Sequence, residues 1–519
     1  MLPEAVPLLP DYLIASAQRY PEKVALVYQK KRVTYAELER RSNALAHGLL
    51  QCGLQRGDRV IIFADNTIET VISFWGVLKA NGVVSIVNPL TKADKLAYLL
   101  NDCRATMLIT DSHLSPVFTE ATPKSKHLKA VIVSGKPDME QLSHLPGCLQ
   151  FDHLLSDQDE ETAPRRQTLD IDLAAIIYTS GSTGDPKGVM LTHRNMLTAA
   201  TSVSTYLGIR QDDVILCILP LAFDYGLYQM IMTFRLGARL ILERSFAFPA
   251  QVLKNVVEEE VTGFPGVPTI FAILSELKNL SRYDFSRIRF VTNTAAALPV
   301  KHIESLKTIF PQARIFSMYG LTECKRCTYL PPEDIDRKPT SVGIAIPNTE
   351  LWIVDEQDQR LGPHQVGQLV IRGATVMRGY WEKPEATQKK LRPGPLPGEM
   401  VLYTGDYCKL DEEGYLYFVG RMDDIIKSRG EKVSPKEVEM VLMNIAGVKE
   451  AAVIGVPDDV LGQAVKALVV LEAGVSISEE VLQRECLNHL ENFMVPKYVS
   501  IVPELPKTTT GKVKKTDLS

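Results

Sequence analysis

The sequence has no long apolar run and no surplus of charge of one sign. No run of 18 or more apolar residues occurs among its 519 residues, which excludes a helix that spans a bilayer. The first residues, Met1-Leu-Pro-Glu-Ala-Val-Pro, lack the basic flank and apolar core of a signal peptide. The formal net charge is −4, so neither nucleic acid nor an anionic membrane is expected as a partner.

Cysteine is scarce and scattered, with eight residues along the chain. This pattern is typical of reduced thiols in a reducing compartment. Cys324 and Cys327 form a C-x-x-C pair, but no second pair at metal-ligand spacing accompanies it, so neither zinc nor redox chemistry is expected there. At roughly 150 residues per domain, the length predicts about three to four folding units. We therefore expect a soluble, cytoplasmic protein of several domains.

A Walker A loop is also absent, but another phosphate-binding pattern is present. The stretch Tyr178-Thr-Ser-Gly-Ser-Thr-Gly-Asp-Pro-Lys-Gly188 follows the apolar run Leu173 to Ile177, and a glycine stands after Lys187 where Walker A has Ser or Thr. Its glycines let the backbone approach an anion, its hydroxyls donate, and its lysine adds a cation. The alternative is a flexible linker, which would not need so apolar a strand before it.

Strands alternate with helices of ten to fifteen residues over the first two thirds of the chain, which predicts doubly wound, mostly parallel sheets. Thr34-Tyr-Ala-Glu37 begins a helix as a capping box, and Arg59 to Phe63 indicates a buried strand. From about residue 340, short runs between glycine-rich turns predict a small antiparallel β-barrel. We predict an α/β N-terminal domain of residues 1–420 and an α+β C-terminal domain of residues 421–519.

Later segments add groups suited to a nucleotide. Tyr319-Gly-Leu-Thr-Glu323 offers an aromatic face for a base, a hydroxyl for a phosphate and a carboxylate for Mg²⁺, although a strand-end turn with a capping threonine would look the same. Tyr403-Thr-Gly-Asp406 offers a carboxylate at a tight turn that could hold ribose hydroxyls, and Gly420-Arg421-x-Asp423 follows it. Taken alone, Asp406 is typical of a turn and Arg421 of a surface ion pair. Lys512 lies on a polar stretch near the end.

Together and in this order, these segments resemble the core motifs of the AMP-forming adenylating superfamily. That family contains acyl-CoA synthetases, stand-alone and peptide-synthetase adenylation domains, and beetle luciferases. The resemblance extends from Thr34 to Lys512. It implies two doubly wound subdomains with a barrel and a mobile C-terminal domain. It also implies two steps: ATP and a carboxylate give an acyl-adenylate and pyrophosphate, and a thiol then takes the acyl group while AMP leaves.

The resemblance implies a role for each matching residue. The residues implied in binding ATP are Thr179, Ser180, Gly181, Ser182, Thr183, Gly184, Lys187, Thr294, Ala295, Ala296, Tyr319, Gly320, Asp406, Arg421 and Lys427. The implied catalytic residues are Lys512, Glu323 and Thr322, with Glu323 as the Mg²⁺ ligand. Asp423 is implied as the hinge, and Gly430 as part of a tunnel for the thiol.

The chemistry agrees with these roles. A carboxylate is a weak nucleophile that phosphate oxygens repel, and Mg²⁺ and Lys512 would neutralise that repulsion in a site closed to water. A lysine on a mobile tail can be withdrawn after the first step, which would free the same cavity for the thiol.

The stretch Pro220-Leu-Ala-Phe-Asp-Tyr-Gly226 gives information about which carboxylic acid is the substrate. Many acyl-CoA ligases have His where Phe223 stands, whereas amino-acid adenylation domains have a similar Phe-Asp pair whose aspartate binds the α-ammonium. Because an unpaired carboxylate beside a fatty chain is costly to bury, Asp224 favours a small or cyclic amino acid such as proline. The residues expected to form this pocket are Phe223, Asp224, Tyr225, Tyr228, Pro265, Val291, Asn293, Met318 and Cys327.

Two alternatives concern this aspartate. In the first, Asp224 faces solvent or caps a helix and does not contact the substrate. In the second, the cations Lys325 and Arg326 either neutralise Asp224 or bind a dicarboxylic acid.

The sequence does not distinguish between two thiol acceptors, because a carrier protein's phosphopantetheine arm and coenzyme A present the same thiol. We predict transfer to a free-standing acyl carrier protein in secondary metabolism, with an acyl-CoA or aryl-CoA synthetase as the alternative. A non-catalytic relative would be expected to lack Lys512, Glu323 or Lys187, and all three are present. A luciferase-type oxygenase has the same motifs, so only an activity assay distinguishes it from a ligase.

Overall fold

The computed structural model describes residues 7–156, 158–179, 186–294, 298–422, 424–428, 431–458, 462–490, 492–507 and 513–518. Its helices are α1 (Leu9–Arg19), α2 (Tyr35–Gln51), α3 (Ile68–Lys79), α4 (Ala93–Asp102), α5 (Ser115–Ala121), α6 (Phe151–Ser156), α7 (His193–Leu207), α8 (Asp224–Leu236), α9 (Pro249–Glu258), α10 (Pro268–Glu276), α11 (Val300–Ile309), α12 (Pro384–Lys390), α13 (Pro435–Met443) and α14 (Glu479–His489). Its strands are β1 (Val24–Tyr28), β2 (Lys31–Thr34), β3 (Arg59–Phe63), β4 (Val83–Val87), β5 (Ala105–Asp111), β6 (Ala130–Ser134), β7 (Cys148–Gln150), β8 (Leu173–Thr179), β9 (Lys187–Thr192), β10 (Val214–Cys217), β11 (Arg239–Leu242), β12 (Gly263–Gly266), β13 (Phe290–Asn293), β14 (Arg314–Tyr319), β15 (Thr328–Leu330), β16 (Ile344–Ala345), β17 (Thr349–Val354), β18 (Gly367–Gly373), β19 (Gly379–Tyr380), β20 (Leu391–Pro393), β21 (Met400–Leu410), β22 (Leu416–Arg421), β23 (Ile426–Ser428), β24 (Glu431–Val433), β25 (Val448–Asp458), β26 (Gly462–Leu471) and β27 (Tyr498–Ile501).

The first large sheet has the strand order β19-β9-β8-β4-β3-β5-β6-β7. Strands β3 to β8 run parallel, and β9 turns back antiparallel to β8. The apolar, β-branched side chains of β3 are buried, as expected for a central parallel strand. Helix α3 is mostly apolar and is buried along nearly its whole length, and its Phe74 and Trp75 are both fully buried.

The second large sheet has the order β16-β15-β14-β13-β12-β10-β11-β1-β2. Strands β10 to β14 and β1 are parallel, while β15 and β2 lie antiparallel to their neighbours. The carboxyl ends of parallel strands meet at one edge of a sheet, where ligands bind in such folds. The segments after β13 and β14, which carry several predicted site residues, therefore begin at that edge.

Local sequence signals explain where several helices begin and end. Glu37 N–H donates to Thr34 Oγ1 at 3.1 Å, so the predicted capping threonine of α2 is confirmed. Thr192 caps α7 in the same way. Gly237 ends α8 with a φ of 69°, a left-handed conformation that glycine adopts without steric cost.

Two smaller sheets follow along the chain. Strands β17, β18 and β21 are neighbours in that order. Strand β22 pairs antiparallel with β21, and β20 pairs antiparallel with Met400 to Leu402 of β21. The last sheet has the order β24-β23-β26-β25, with β27 parallel to β26. Helices α13 and α14 contribute Val438, Leu442 and Leu482 to its apolar core. The predicted α/β class, with a smaller C-terminal α+β part, is confirmed.

The chain divides into two compact units. The first comprises Met1–Arg337, Ala345–Thr349 and Arg372–Leu402, and the second comprises Lys338–Ile344, Glu350–Ile371 and Tyr403–Ser519. The domain boundary between residues 420 and 421 and the mobility of the C-terminal domain stay predictions. Within the described ranges, no helix is both long and apolar enough to cross a membrane.

Candidate active site

The predicted phosphate loop connects β8 to β9. These strands pair antiparallel, so that Thr179 lies opposite Lys187, and Thr179 Oγ1 donates to the Lys187 carbonyl at 3.5 Å. Both ends of the loop are thus held by the sheet. Ser180, Gly181, Ser182, Thr183 and Gly184 lie outside the described residues.

Tyr380, which the sequence did not single out, joins two of the predicted site residues. Its hydroxyl donates to Glu323 Oε1 at 2.6 Å, and Lys187 Nζ lies 5.7 Å from the centroid of its ring. That separation is within the range of a cation–π interaction. The cation of the phosphate loop and the predicted metal ligand therefore both contact one tyrosine. Its strand, β19, pairs with β9, a long-range contact for which the local sequence gives no signal.

The predicted Mg²⁺ site has a suitable donor set. Thr322 and Glu323 are adjacent and half-buried, and their hydroxyl and carboxylate oxygens are the hard donors that Mg²⁺ takes. Among the described residues, no three His, Cys, Asp or Glu side chains gather to hold a metal ion. Mg²⁺ in nucleotide enzymes is commonly held by one or two carboxylates together with substrate phosphates. A single glutamate therefore fits an ion that arrives with ATP.

The turn after β14 is tightly packed. A Cβ at Gly320 would lie 2.0 Å from the Lys325 carbonyl oxygen, so only glycine fits there. Lys325 has a φ of 64°, a conformation that non-glycine residues adopt at a cost. Tyr319 accepts at its carbonyl from Cys327 N–H at 2.9 Å, and Cys327 Sγ lies 2.9 Å from Cys324 Sγ in the buried interior of the turn. This packing turns the side chains of residues 324–327 inward.

Asp224 does not face solvent. It is the first residue of α8, and 6% of it is exposed. Arg326 Nη1 lies 3.7 Å from Asp224 Oδ2, and both side chains are buried. Arg326 Cζ also lies 4.8 Å from the centroid of the Tyr225 ring. The buried carboxylate is therefore paired with a cation of the protein itself, while the proposed solvent-facing position of Asp224 is wrong.

Lys325 lies beside this ion pair. The residue is 1% exposed, and its Nζ has no hydrogen-bond partner in the described part of the chain. Nζ lies 5.6 Å from the centroid of the Tyr228 ring, whose hydroxyl likewise lacks a partner there. Burial lowers the pKa of Lys325 to about 8, although the negative charge of Asp224 acts in the opposite direction. The lysine therefore stays protonated at neutral pH.

A small cavity of about 10 Å³ adjoins these side chains. Its lining comprises Val203, Leu207, Tyr225, Tyr228, Gln229, Met232, Met318, Lys325 and Arg326. The structure thus brings together Tyr225, Tyr228 and Met318 of the predicted pocket. Its remaining members are not among the lining residues described: Phe223, Asp224, Pro265, Val291, Asn293 and Cys327. The substrate role of the whole set stays a prediction.

In the second unit, the two predicted ribose ligands are neighbours. Asp406 and Arg421 are opposite each other on β21 and β22, and Arg421 Nε lies 3.7 Å from Asp406 Oδ1. Asp406 is buried, and its N–H donates to Thr404 Oγ1 at 3.1 Å. In the first unit, Thr294 is buried directly after β13. Ala295, Ala296, Asp423, Gly430 and Lys512 lie outside the described residues, and only the backbone of Lys427, in β23, is described.

Comparison with known proteins identifies the chain as an AMP-forming ligase. A family model described as AMP-binding enzyme matches residues 13–381, and one described as AMP-binding enzyme C-terminal domain matches residues 437–512. The chain therefore belongs to the AMP-binding enzyme family, as the sequence motifs predicted.

Individual relatives cover nearly the whole chain. A long-chain-fatty-acid–CoA ligase of Bacillus subtilis (strain 168) is 33% identical over 99% of this chain and 95% of its own length. 4-Coumarate–CoA ligase 1 of Solanum tuberosum is 30% identical over 93% of this chain and 88% of its own. The crystal structure of an anthranilate CoA ligase with anthranoyl-AMP is 28% identical, with a TM-score of 0.90 over 100% of this chain and 97% of that one.

Proposed function

We propose that this protein joins an acyl or aryl carboxylic acid to coenzyme A through an acyl-adenylate. In the first step, a carboxylate oxygen attacks the α-phosphorus of ATP, and the bond to the pyrophosphate oxygen breaks. In the second step, the coenzyme A sulfur attacks the acyl carbon, its proton goes to solvent, and AMP leaves.

The observation that carries this proposal is the contact of Lys187 and Glu323 with Tyr380. A cation for the β- and γ-phosphates and a carboxylate for the metal must lie close together to act on one triphosphate. Tyr380 orients the carboxylate through a hydrogen bond to a charged group, which is among the stronger contacts in proteins. Mg²⁺ bound with ATP would supply positive charge that offsets the charge developing on the phosphates.

The choice of coenzyme A as acceptor is supported by the three relatives described above, which are CoA ligases by name. They support coenzyme A over the carrier protein that we expected from the sequence. The choice of an acyl or aryl acid is supported by Asp224, whose partner Arg326 lies 3.7 Å away. Because that carboxylate is already paired, burying it does not require the ammonium group of an amino acid.

Exchange of pyrophosphate into ATP, measured across fatty, aryl and amino acids, tests the first step. Release of AMP that depends on coenzyme A, with mass spectrometry of the thioester, tests the second. Glu323→Gln should slow exchange by about 10²–10³-fold, by analogy with the loss of one charge-stabilising donor. Glu382→Gln is the matched control, since that carboxylate is about half exposed and pairs with Arg104 on the surface. An acid that exchanges but is transferred only to a carrier protein would contradict the proposal.

A second candidate function is activation of a small amino acid such as proline for a carrier protein. The burial of Asp224 at the start of α8 favours it, because this carboxylate could bind an α-ammonium. Exchange with proline, and its loss in Asp224→Asn, would support this function. Exchange with acyl or aryl acids but not with proline would exclude it.

A further inference from the structure

The Lys325 ammonium is buried, and its Nζ makes no hydrogen bond to the described part of the protein. The charged groups that act on it are Asp224, Arg326 and Glu323. Asp224 lies against Arg326 at 3.7 Å, and Glu323 accepts from the Tyr380 hydroxyl at 2.6 Å. Among the described residues, the Lys325 Nζ also contacts the Tyr228 ring, whose centroid is 5.6 Å away.

This position is energetically costly for a lysine. Burying an ammonium without a hydrogen-bonded partner is strongly unfavourable, whereas a methionine of similar length would fill the same space without a charge. The chain also holds the residue at a φ of 64°, which adds backbone strain. Unfavourable features that coincide in one residue are typical of a binding site.

The surroundings indicate what this site binds. The cavity lining combines the apolar side chains of Val203, Leu207 and Met232 with the Lys325 ammonium and the unpartnered hydroxyl of Tyr228. An ammonium and a hydroxyl among apolar lining residues suit an anionic oxygen group that is carried on a hydrocarbon chain or ring.

We propose that Lys325 and Tyr228 bind a second carboxylate at the far end of the acid, so that the substrates are dicarboxylic acids. This inference rests on the proposed ligation of an acid to coenzyme A. The reacting carboxyl would lie on the side of Glu323, and the second carboxyl at Lys325. The cavity of about 10 Å³ has room for about one water-sized group, so binding a carboxylate requires the flexible side chains of Met232 and Met318 to move.

The test compares acids that differ only in the second carboxylate. Hexanedioate is compared with hexanoate, and 1,4-benzenedicarboxylate with benzoate, by pyrophosphate exchange and by thioester formation with the full-length protein. The wild type should use one of the diacids with a kcat/KM about tenfold or more above that of its monoacid. Lys325→Met should lower that ratio by about 10- to 100-fold, the loss expected for a hydrogen bond to a charged group. The loss should appear mainly in KM.

Tyr228→Phe removes only the hydroxyl and should lower the same ratio by a smaller factor, which keeps the test decisive if Lys325→Met does not fold. Lys254→Met, a change of an exposed lysine on α9, should leave the ratio unchanged. If the wild type converted the monoacids to thioesters as efficiently as the diacids, this inference would be overturned while the ligase proposal stayed intact. Absence of any thioester with coenzyme A would overturn the ligase proposal and this inference with it.

Discussion

The ion pair between Asp224 and Arg326 allows a sharp prediction about stability. Asp224→Ala removes the carboxylate and leaves two buried cations, Lys325 and Arg326, beside each other. Breaking a buried pair by removing one partner typically costs about 3–5 kcal/mol, because the remaining charge is uncompensated. We therefore expect the free energy of unfolding to fall by about 3–5 kcal/mol, a large share of the 5–15 kcal/mol that holds an ordinary domain folded.

The structure supports a value in this range. Arg326 Nη1 and Asp224 Oδ2 are 3.7 Å apart, and the two side chains are 7% and 8% exposed. Two unit charges about 4 Å apart attract each other by about 4 kcal/mol at an effective dielectric constant of 20. By contrast, Lys254 and Glu258 on α9 lie 3.5 Å apart but are 60% and 57% exposed. An exposed pair of this kind contributes about 1 kcal/mol or less.

Urea denaturation followed by tryptophan fluorescence and circular dichroism measures these changes. Glu258→Ala is the matched control and should change the free energy of unfolding by less than about 1 kcal/mol. The double variant Asp224→Ala/Arg326→Met should recover part of the lost stability, because it removes one of the two unpaired cations. If Asp224→Ala were as stable as Glu258→Ala but lost activity toward amino acids alone, the carboxylate would be a substrate ligand rather than the partner of Arg326.

Three further predictions concern other parts of the molecule. Burial lowers the pKa of His193 to about 4, so the unfolded chain takes up its proton first, and stability should fall by up to about 3 kcal/mol as the pH drops from 6.5 to 4. Gly320→Ala should cost about 1–3 kcal/mol and impair adenylation, because its Cβ would lie 2.0 Å from the Lys325 carbonyl oxygen. Lys512→Ala should lower the rate of adenylation by about 10²–10³-fold, which nearly abolishes it, and should spare transfer from a preformed adenylate.

Each of these changes has its own measurement and control. Between about pH 4 and 7, the urea midpoint should depend less steeply on pH in His193→Gln than in the wild type. An unchanged pH dependence would contradict the assignment. Gly362→Ala is the control for Gly320→Ala, since the nearest atom to its new Cβ would be a glutamine oxygen 3.7 Å away. Lys514→Ala, a change of an exposed lysine paired with Asp517, is the control for Lys512→Ala, and equal loss of both half-reactions would refute the assigned role.

Local patterns explain what could be predicted from the sequence. The strand over Arg59 to Phe63 was predicted at the bounds that it has in the structure, and the helix after Thr34 at its observed start, because burial and capping are encoded within a few residues. The alternation of strands with helices likewise predicted two mostly parallel sheets. Each of these features depends on neighbours in sequence, for which periodicity and capping rules are sufficient.

Long-range contacts explain what could not be predicted. Tyr380 reaches Glu323 and Lys187 only because β19 pairs with β9 at the edge of the first sheet. Similarly, Lys325 and Arg326 are adjacent cations, and nothing in the sequence tells which of them pairs with Asp224. That choice depends on the left-handed backbone at Lys325, which directs the two side chains to different partners.

The identity of that partner bears directly on the acid. If Asp224 were unpaired, its charge would attract an ammonium and favour an amino acid. Because Arg326 already offsets it, Lys325 leaves these three side chains with one net positive charge, which repels an ammonium and attracts an anion. An amino acid would bring a second positive charge into a buried site, where charges are poorly screened. A substrate with a negative group at its far end would neutralise the net positive charge of these side chains. Comparing diacids with monoacids and with proline therefore tests the electrostatics of the pocket.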